Sequence, residues 1–177
     1  MLKLHVLNLG LLQFLFQKMG NTVSDMQLTT ILPPIAVFSS GVTTGFLSGA
    51  SFLDCRTFKA LVAKKDADTI RKVFPIWWPY GKSFMVPMTI LNCIVHFGTF
   101  AVTNEKLWIL TGSVLTSIGP YTGMVMMENI NTLRGEDGKV SDDDVLTFTK
   151  TFCKLHHPRL ALALIGFGTS IYLVTRR

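Results

Sequence analysis

At 177 residues the chain has the length of one domain. Apolar residues make up 49%, about 57% with the 14 glycines, and charged residues only 16%, where soluble domains run about 45–50% and about 25%. A mean hydropathy of +0.41 argues against a soluble globule, which must cover a large remaining surface with polar groups, and the composition excludes disordered, collagen-like and disulfide-scaffold classes. The three cysteines are an odd number, widely spaced and without a CxxC partner, so neither a bridge framework nor a zinc site is indicated.

The first 28 residues form an N-terminal hydrophobic segment, with Leu, Val and Phe dominating positions 4–16 between Lys3 and Lys18. No small-x-small cleavage site follows. The expectation is an uncleaved helix lying at the membrane interface or against the bundle.

Residues 29–177 read as one membrane domain. Four stretches contain no Asp, Glu, Lys or Arg: 26–53, 83–104, 107–127 and 160–175, of 28, 22, 21 and 16 residues. A spanning helix needs about 20 apolar residues. The predicted spans are about 33–53, 83–104, 107–127 and 158–175. Pro33-Pro34 is expected to break the first stretch and open its span, and Pro158 to open the last, with Arg159, Arg176 and Arg177 extending toward headgroups. The fold class expected is therefore all-α, a four-transmembrane-helix bundle.

Between the spans, residues 54–82 and 128–159 fall on one side and carry twelve of the 17 basic residues. That bias predicts both long loops in the cytosol or the mitochondrial matrix. The +6 net charge is thus orientation chemistry, and no stacking aromatics interleave the basic residues as a nucleic-acid site requires. In the first loop, Phe74, Trp77, Trp78 and Tyr80 read as an interfacial belt, with Pro75 and Pro79 interrupting any helix. In the second, residues 136–139 read as a turn. Ser141 caps a helix with Asp144 three residues on, and Val145, Phe148, Phe152 and Leu155 make one apolar stripe. This is the amphipathic helix expected before the last span. Asp142, Asp143 and Asp144 read as a favourable first turn rather than a cation site.

Residue choice within the spans carries more. Gly41, Gly45 and Gly49 recur every four residues, predicting close approach of another helix along that face. Thr89, Asn92, His96, Thr99 and Thr103 form a polar stripe that must face the bundle interior. The third span carries Ser113, Thr116, Ser117, Pro120, Tyr121 and Thr122 and ends at Glu128-Asn129. These polar faces are expected to line a cavity.

The Gly-rich first span, the Pro120-Tyr121-Thr122 segment followed by Met126-Met127-Glu128-Asn129, and the late helix running into His156-His157-Pro158-Arg159 resemble the anthrone-oxygenase-like family of small four-helix membrane proteins. The resemblance covers about four-fifths of the chain. Phe152 stands where members commonly have Trp, and Pro158 departs from the pattern. What the resemblance implies is oxygenation of a lipophilic phenol or quinol without metal, flavin or other cofactor. Such chemistry needs a base and a stabiliser for the developing oxyanion. His156 or His96 is the candidate base, Arg159 the stabiliser and Glu128 a carboxylate that orients either, with His96, Asn92 and Tyr121 as substrate-binding candidates. The alternative is a non-catalytic accessory subunit of a larger membrane assembly, such as a respiratory complex. Partners expected are the lipid bilayer, a phenolic or quinol ligand and a homo-oligomer or larger complex. The organelle stays open between endoplasmic reticulum and mitochondrial inner membrane.

Overall fold

A computed structural model describes residues 25–136, 138 and 140–176. The expected N-terminal interfacial helix lies outside the described residues, as do Asp137 and Lys139 of the expected turn. Its neighbours Gly135 and Gly138 have φ of 75° and 91°, left-handed backbone that glycine adopts without penalty.

Among the described residues all regular structure is helical. The first column is α1 (Asp25–Gly49), a π-helical turn (Ala50–Asp54) and α2 (Cys55–Ala63). Then come α3 (Ala67–Thr103), α4 (Leu107–Thr116), α5 (Ile118–Tyr121), a second π turn (Thr122–Met126), α6 (Met127–Leu133) and α7 (Asp142–Thr175). Among the described residues three helices are long and apolar enough to cross a membrane: Gln27–Ala63, Ala67–Thr103 and Asp142–Thr175, of 37, 37 and 34 residues. Their outward faces are apolar, with Phe38, Ile76, Ile90, Ile94 and Ile165 exposed, as contact with lipid requires. At 1.5 Å per residue these helices run about 50–55 Å, well past the roughly 30 Å hydrocarbon thickness.

That length corrects the proline expectations. Pro33-Pro34, Pro75, Pro79 and Pro158 all lie inside continuous helices. Each proline removes one backbone bond, and packing against neighbouring helices retains the helix regardless. The amphipathic helix and the last span are consequently one element, α7. The fourth apolar stretch departs from expectation in the other direction. It is not one helix but α4, α5, a π turn and α6, with a break at Ser117.

Two side-chain caps set helix starts. Ser141 accepts from the Asp144 N–H at 3.2 Å and donates to its carboxylate at 2.6 Å, the capping arrangement expected. Asp66 accepts from the Thr69 N–H at 3.0 Å and its hydroxyl at 2.7 Å, opening α3. Those bonds hold the Asp66 carboxyl below its ordinary 3.8. A depressed carboxyl stabilises fully above its unfolded value and loses that contribution as pH falls through the lowered one. Asp66→Asn is therefore expected to flatten the acid side of the thermal-stability profile, measured between pH 5 and 2, while keeping a capping oxygen.

α1 packs on α3 and α7, and α4 packs on the same two helices from the other side. At the loop end, Arg71 of α3 pairs with Asp142 at 2.6 Å and donates to the Val140 carbonyl at 2.7 Å. At the opposite end Arg176 pairs with Glu105. One long loop is thus bound to the other, and the C-terminus to the short α3–α4 turn.

The apolar stripe of α7 is buried as expected. Val145 and Phe152 are core residues, and Phe148 and Leu155 pack on the same cluster. The aromatic belt is corrected. Phe74 and Trp78 are buried and Trp77 half-buried, while Tyr80 is 73% exposed. Phe152 draws them in, meeting Phe74, Trp77 and Trp78 edge-on with centroids at 5.2, 5.9 and 6.4 Å, the geometry aromatic quadrupoles prefer.

The glycine expectation also changes. A Cβ built on Gly45 or Gly49 meets nothing within 4 Å, and Gly45 is exposed. Only Gly41 of that series is close, 3.0 Å from the Phe167 ring. The tight crossings are elsewhere. A Cβ on Gly112 would sit 2.9 Å from His96 Cβ, and one on Gly166 2.6 Å from Leu115.

Candidate functional site

The polar stripe of α3 turns inward as its period requires, and its residues part company. Asn92 accepts from Ser39 at 2.9 Å and donates to Thr43 at 2.8 Å and to the Met88 carbonyl at 2.9 Å. His96 Nδ1 donates to the Asn92 carbonyl at 2.8 Å, and its Nε2 lies 3.1 Å from Ser170 Oγ. That hydroxyl is also 2.9 Å from the Gly166 carbonyl, so its one proton serves either acceptor. Asn92 and His96 thereby fasten α1, α3 and α7 together. Sequence reasoning placed them beside a ligand. Their hydrogen-bonding capacity is instead met by Ser39, Thr43 and Ser170, small polar residues of the facing helices.

A cavity of about 370 Å³ lies toward the loop end, within the roughly 300–1,000 Å³ of ligand pockets. His156 and Arg159 stand on its α7 wall, Trp77, Trp78 and Met85 on α3, and Phe46 on α1. Of the α3 stripe only Thr89 reaches it. Both π turns border it, the first through Ala50 and the second through Thr122 and Gly123. A π turn inserts one residue into the helical register and rotates the residues downstream of it, a device common at functional sites. Here it buries Ser51, whose Oγ lies 3.1 Å from His156 Nδ1. When Nδ1–H donates to Ser51, Nε2 remains as the ring's acceptor. His156 also packs on the Phe152 ring, centroids 5.9 Å apart.

Arg159 is 4% exposed and makes no hydrogen bond or ion pair with the described residues; its Nε is buried and unpartnered. The Trp78 indole Nε1 is in the same condition. Among the described residues no Asp or Glu stands on the cavity wall. Tyr121 is half-buried and donates to the Leu155 carbonyl at 3.2 Å, joining α5 to α7 beside the cavity without lining it. Glu128 is exposed on α6 and does not line it either. The structure thus brings His156 and Arg159 together on one wall and leaves Glu128, Tyr121, His96 and Asn92 off it. Ser51 and Trp78 are the site residues that sequence reasoning missed. Among the described residues, no three His, Cys, Asp or Glu gather closely enough to hold a metal ion.

Fold and site together define a protein whose described residues form helices alone, fit by length and composition for a membrane, with an apolar cavity carrying a buried histidine and arginine. No family model matches the chain, and no curated protein or solved structure matches it.

Proposed function

We propose that the chain is a four-crossing membrane protein whose cavity takes a lipophilic phenol or quinol, and that its activity is cofactor-free oxygenation of that ring. The observation carrying this reading is the pairing of buried His156 and Arg159 on one wall of an otherwise largely apolar cavity. Ionisable groups at membrane depth are expensive and mark functional sites. In this reading a flat phenol lies among the rings of Trp77, Trp78 and Phe46 on the wall, with its hydroxyl toward His156 and Arg159.

In this scheme His156 takes the phenolic proton and Arg159 steadies the resulting oxyanion. The ring carbon para to that oxygen supplies an electron pair to dioxygen, forming a C–O bond and, after protonation, a hydroperoxide. Loss of water then leaves a carbonyl. One dioxygen is reduced by four electrons, one ring CH₂ becomes C=O, and one water leaves. The test is dioxygen uptake by purified protein with anthrone, corrected for the spontaneous reaction. Saturable uptake with equimolar anthraquinone is expected. Uptake no faster than the spontaneous rate would reject the oxygenase, and persistent co-migration with other chains in mild detergent would favour the accessory subunit.

The fourth crossing is assigned to the column of α4 to α6, supported by its lack of charge over 107–127 and its packing on α3 and α7. Single cysteines at Lys64 and Glu136, in a background without the native cysteines, are expected to react from the same side, and one at Lys106 from the other. Labelling of Lys64→Cys and Glu136→Cys from opposite sides would remove one crossing.

A further inference from the structure

Two residues that each carry a buried donor without a partner stand on the cavity wall, from different helices. Arg159 on α7 and Trp78 on α3 are 4% and 6% exposed, and the Nε of one and the Nε1 of the other have no partner. Neither group can accept a hydrogen bond, and a guanidinium stays charged at any physiological pH. The acceptors nearby do not balance that charge. Thr89 and Thr122 spend their protons on the Met85 and Ile118 carbonyls at 2.9 and 2.8 Å, leaving neutral lone pairs. The other formal charge on the wall is exposed Lys82, of the same sign. A buried cation is ordinarily paired, and the protein walls supply no counter-charge here.

We infer that the ligand of this cavity binds as an anion: an apolar body bearing one acidic oxygen headgroup, which receives hydrogen bonds from the Arg159 guanidinium and the Trp78 indole. The inference rests on the proposed ligand cavity and narrows it, because the ligand must present to Arg159 either a carboxylate or phosphate on its skeleton or a phenolic oxygen that has given its proton to His156. Guanidinium recognises planar and tetrahedral oxyanions through paired N–H bonds, so a small lipophilic acid and an anionic lipid headgroup share the required chemistry.

The test uses the purified full chain in a neutral detergent with two probes of one shape, anthracene-9-carboxylate and anthracene-9-methanol. Binding is read by quenching of tryptophan emission, since Trp77 and Trp78 line the site. The carboxylate is expected to bind at least about ten-fold tighter, the increment of a hydrogen bond to a charged group. Arg159→Gln is expected to bring the two probes within about two-fold of each other, and Trp78→Phe, which keeps a ring, to lower the preference several-fold. If Arg159→Gln does not fold, the wild-type preference and Trp78→Phe decide. Equal affinity of both probes for the wild type would overturn the anion while leaving an apolar ligand cavity. No saturable binding of either probe would remove the cavity reading as well. Preference surviving in Arg159→Gln would likewise overturn the assignment. Displacement of the carboxylate by dioleoyl phosphatidic acid, but not by dioleoyl phosphatidylcholine, would assign the anion to a lipid headgroup; displacement by decanoate alone would assign it to a small acid.

Discussion

Gly112→Leu and Gly166→Leu are each expected to lower the thermal midpoint of the detergent-solubilised protein by several degrees, while Gly45→Leu leaves it unchanged. At Gly112 even the first added carbon would lie 2.9 Å from His96 Cβ. A Cβ moves only with its backbone, so relief requires α3 and α4 to separate. At Gly166 the obstacle is Leu115, 1% exposed in a cluster with Leu47, Met85, Ile118 and Ala163. Overpacking of this kind costs about 1–3 kcal/mol, and at about 2–4 °C per kcal/mol for a chain of this size the shift is readily measured. Gly45 points away from the bundle with nothing within 4 Å, so its leucine adds apolar surface toward lipid. A midpoint for Gly112→Leu equal to that of Gly45→Leu would contradict the α3–α4 crossing.

Which glycines matter could not be read from spacing. Gly41, Gly45 and Gly49 have the period of a packing face, but burial depends on which way α1 is rotated, and Thr43, Thr44 and Leu47 took the inward positions. The polar stripe of α3 was legible because polar groups in an apolar setting have one cheap direction to point. The Ser141 cap was legible because a cap is chemistry between residues three apart. Prolines misled for the opposite reason. Their local cost favours a break, and long-range packing of α1, α3 and α7 outweighs it. The π turns at Ala50–Asp54 and Thr122–Met126 left no local signature, and they change the register that decides which way every later residue of the helix faces.

The site was legible to the same degree. His156 and Arg159 share a helix face three residues apart, so their common wall followed from spacing alone. Ser51 could not be assigned to His156, because the turn that delivers it is invisible in the sequence. Trp78 looked like an interfacial residue, and only the edge-on packing around Phe152 turns it inward. Glu128 ends the third apolar stretch on the expected side, but the second π turn and α6 carry it to an exposed position.

With anthrone as substrate, His156→Ala is expected to lower turnover about 10²–10⁴-fold, the contribution of a positioned general base, with the thermal midpoint only modestly reduced. The Ser51 hydroxyl, 3.1 Å from Nδ1, is the hydrogen-bond partner that orients the ring, so Ser51→Ala should act through His156 and cost less than its removal. Loss of Ser51 frees the tautomer, and the expected signature is a reduced kcat with KM nearly unchanged, since Ser51 is not on the cavity wall. Arg159→Lys keeps the charge but loses the planar fork, and is expected to raise KM and lower kcat together, because in the proposed scheme Arg159 holds both the bound ligand and the oxyanion that develops on it. Asn92→Leu offers the contrast. It removes the bonds to Ser39 and Thr43 across to α1, each worth about 0.6 kcal/mol in a membrane helix pair, and the bond to the Met88 carbonyl one turn back on α3. Stability should fall by about 1–2 kcal/mol with kcat retained, since Asn92 lies off the cavity. If Asn92→Leu lost turnover as completely as His156→Ala, the functional centre would belong to the inner polar layer of α1, α3 and α7 and not to the cavity beside Arg159.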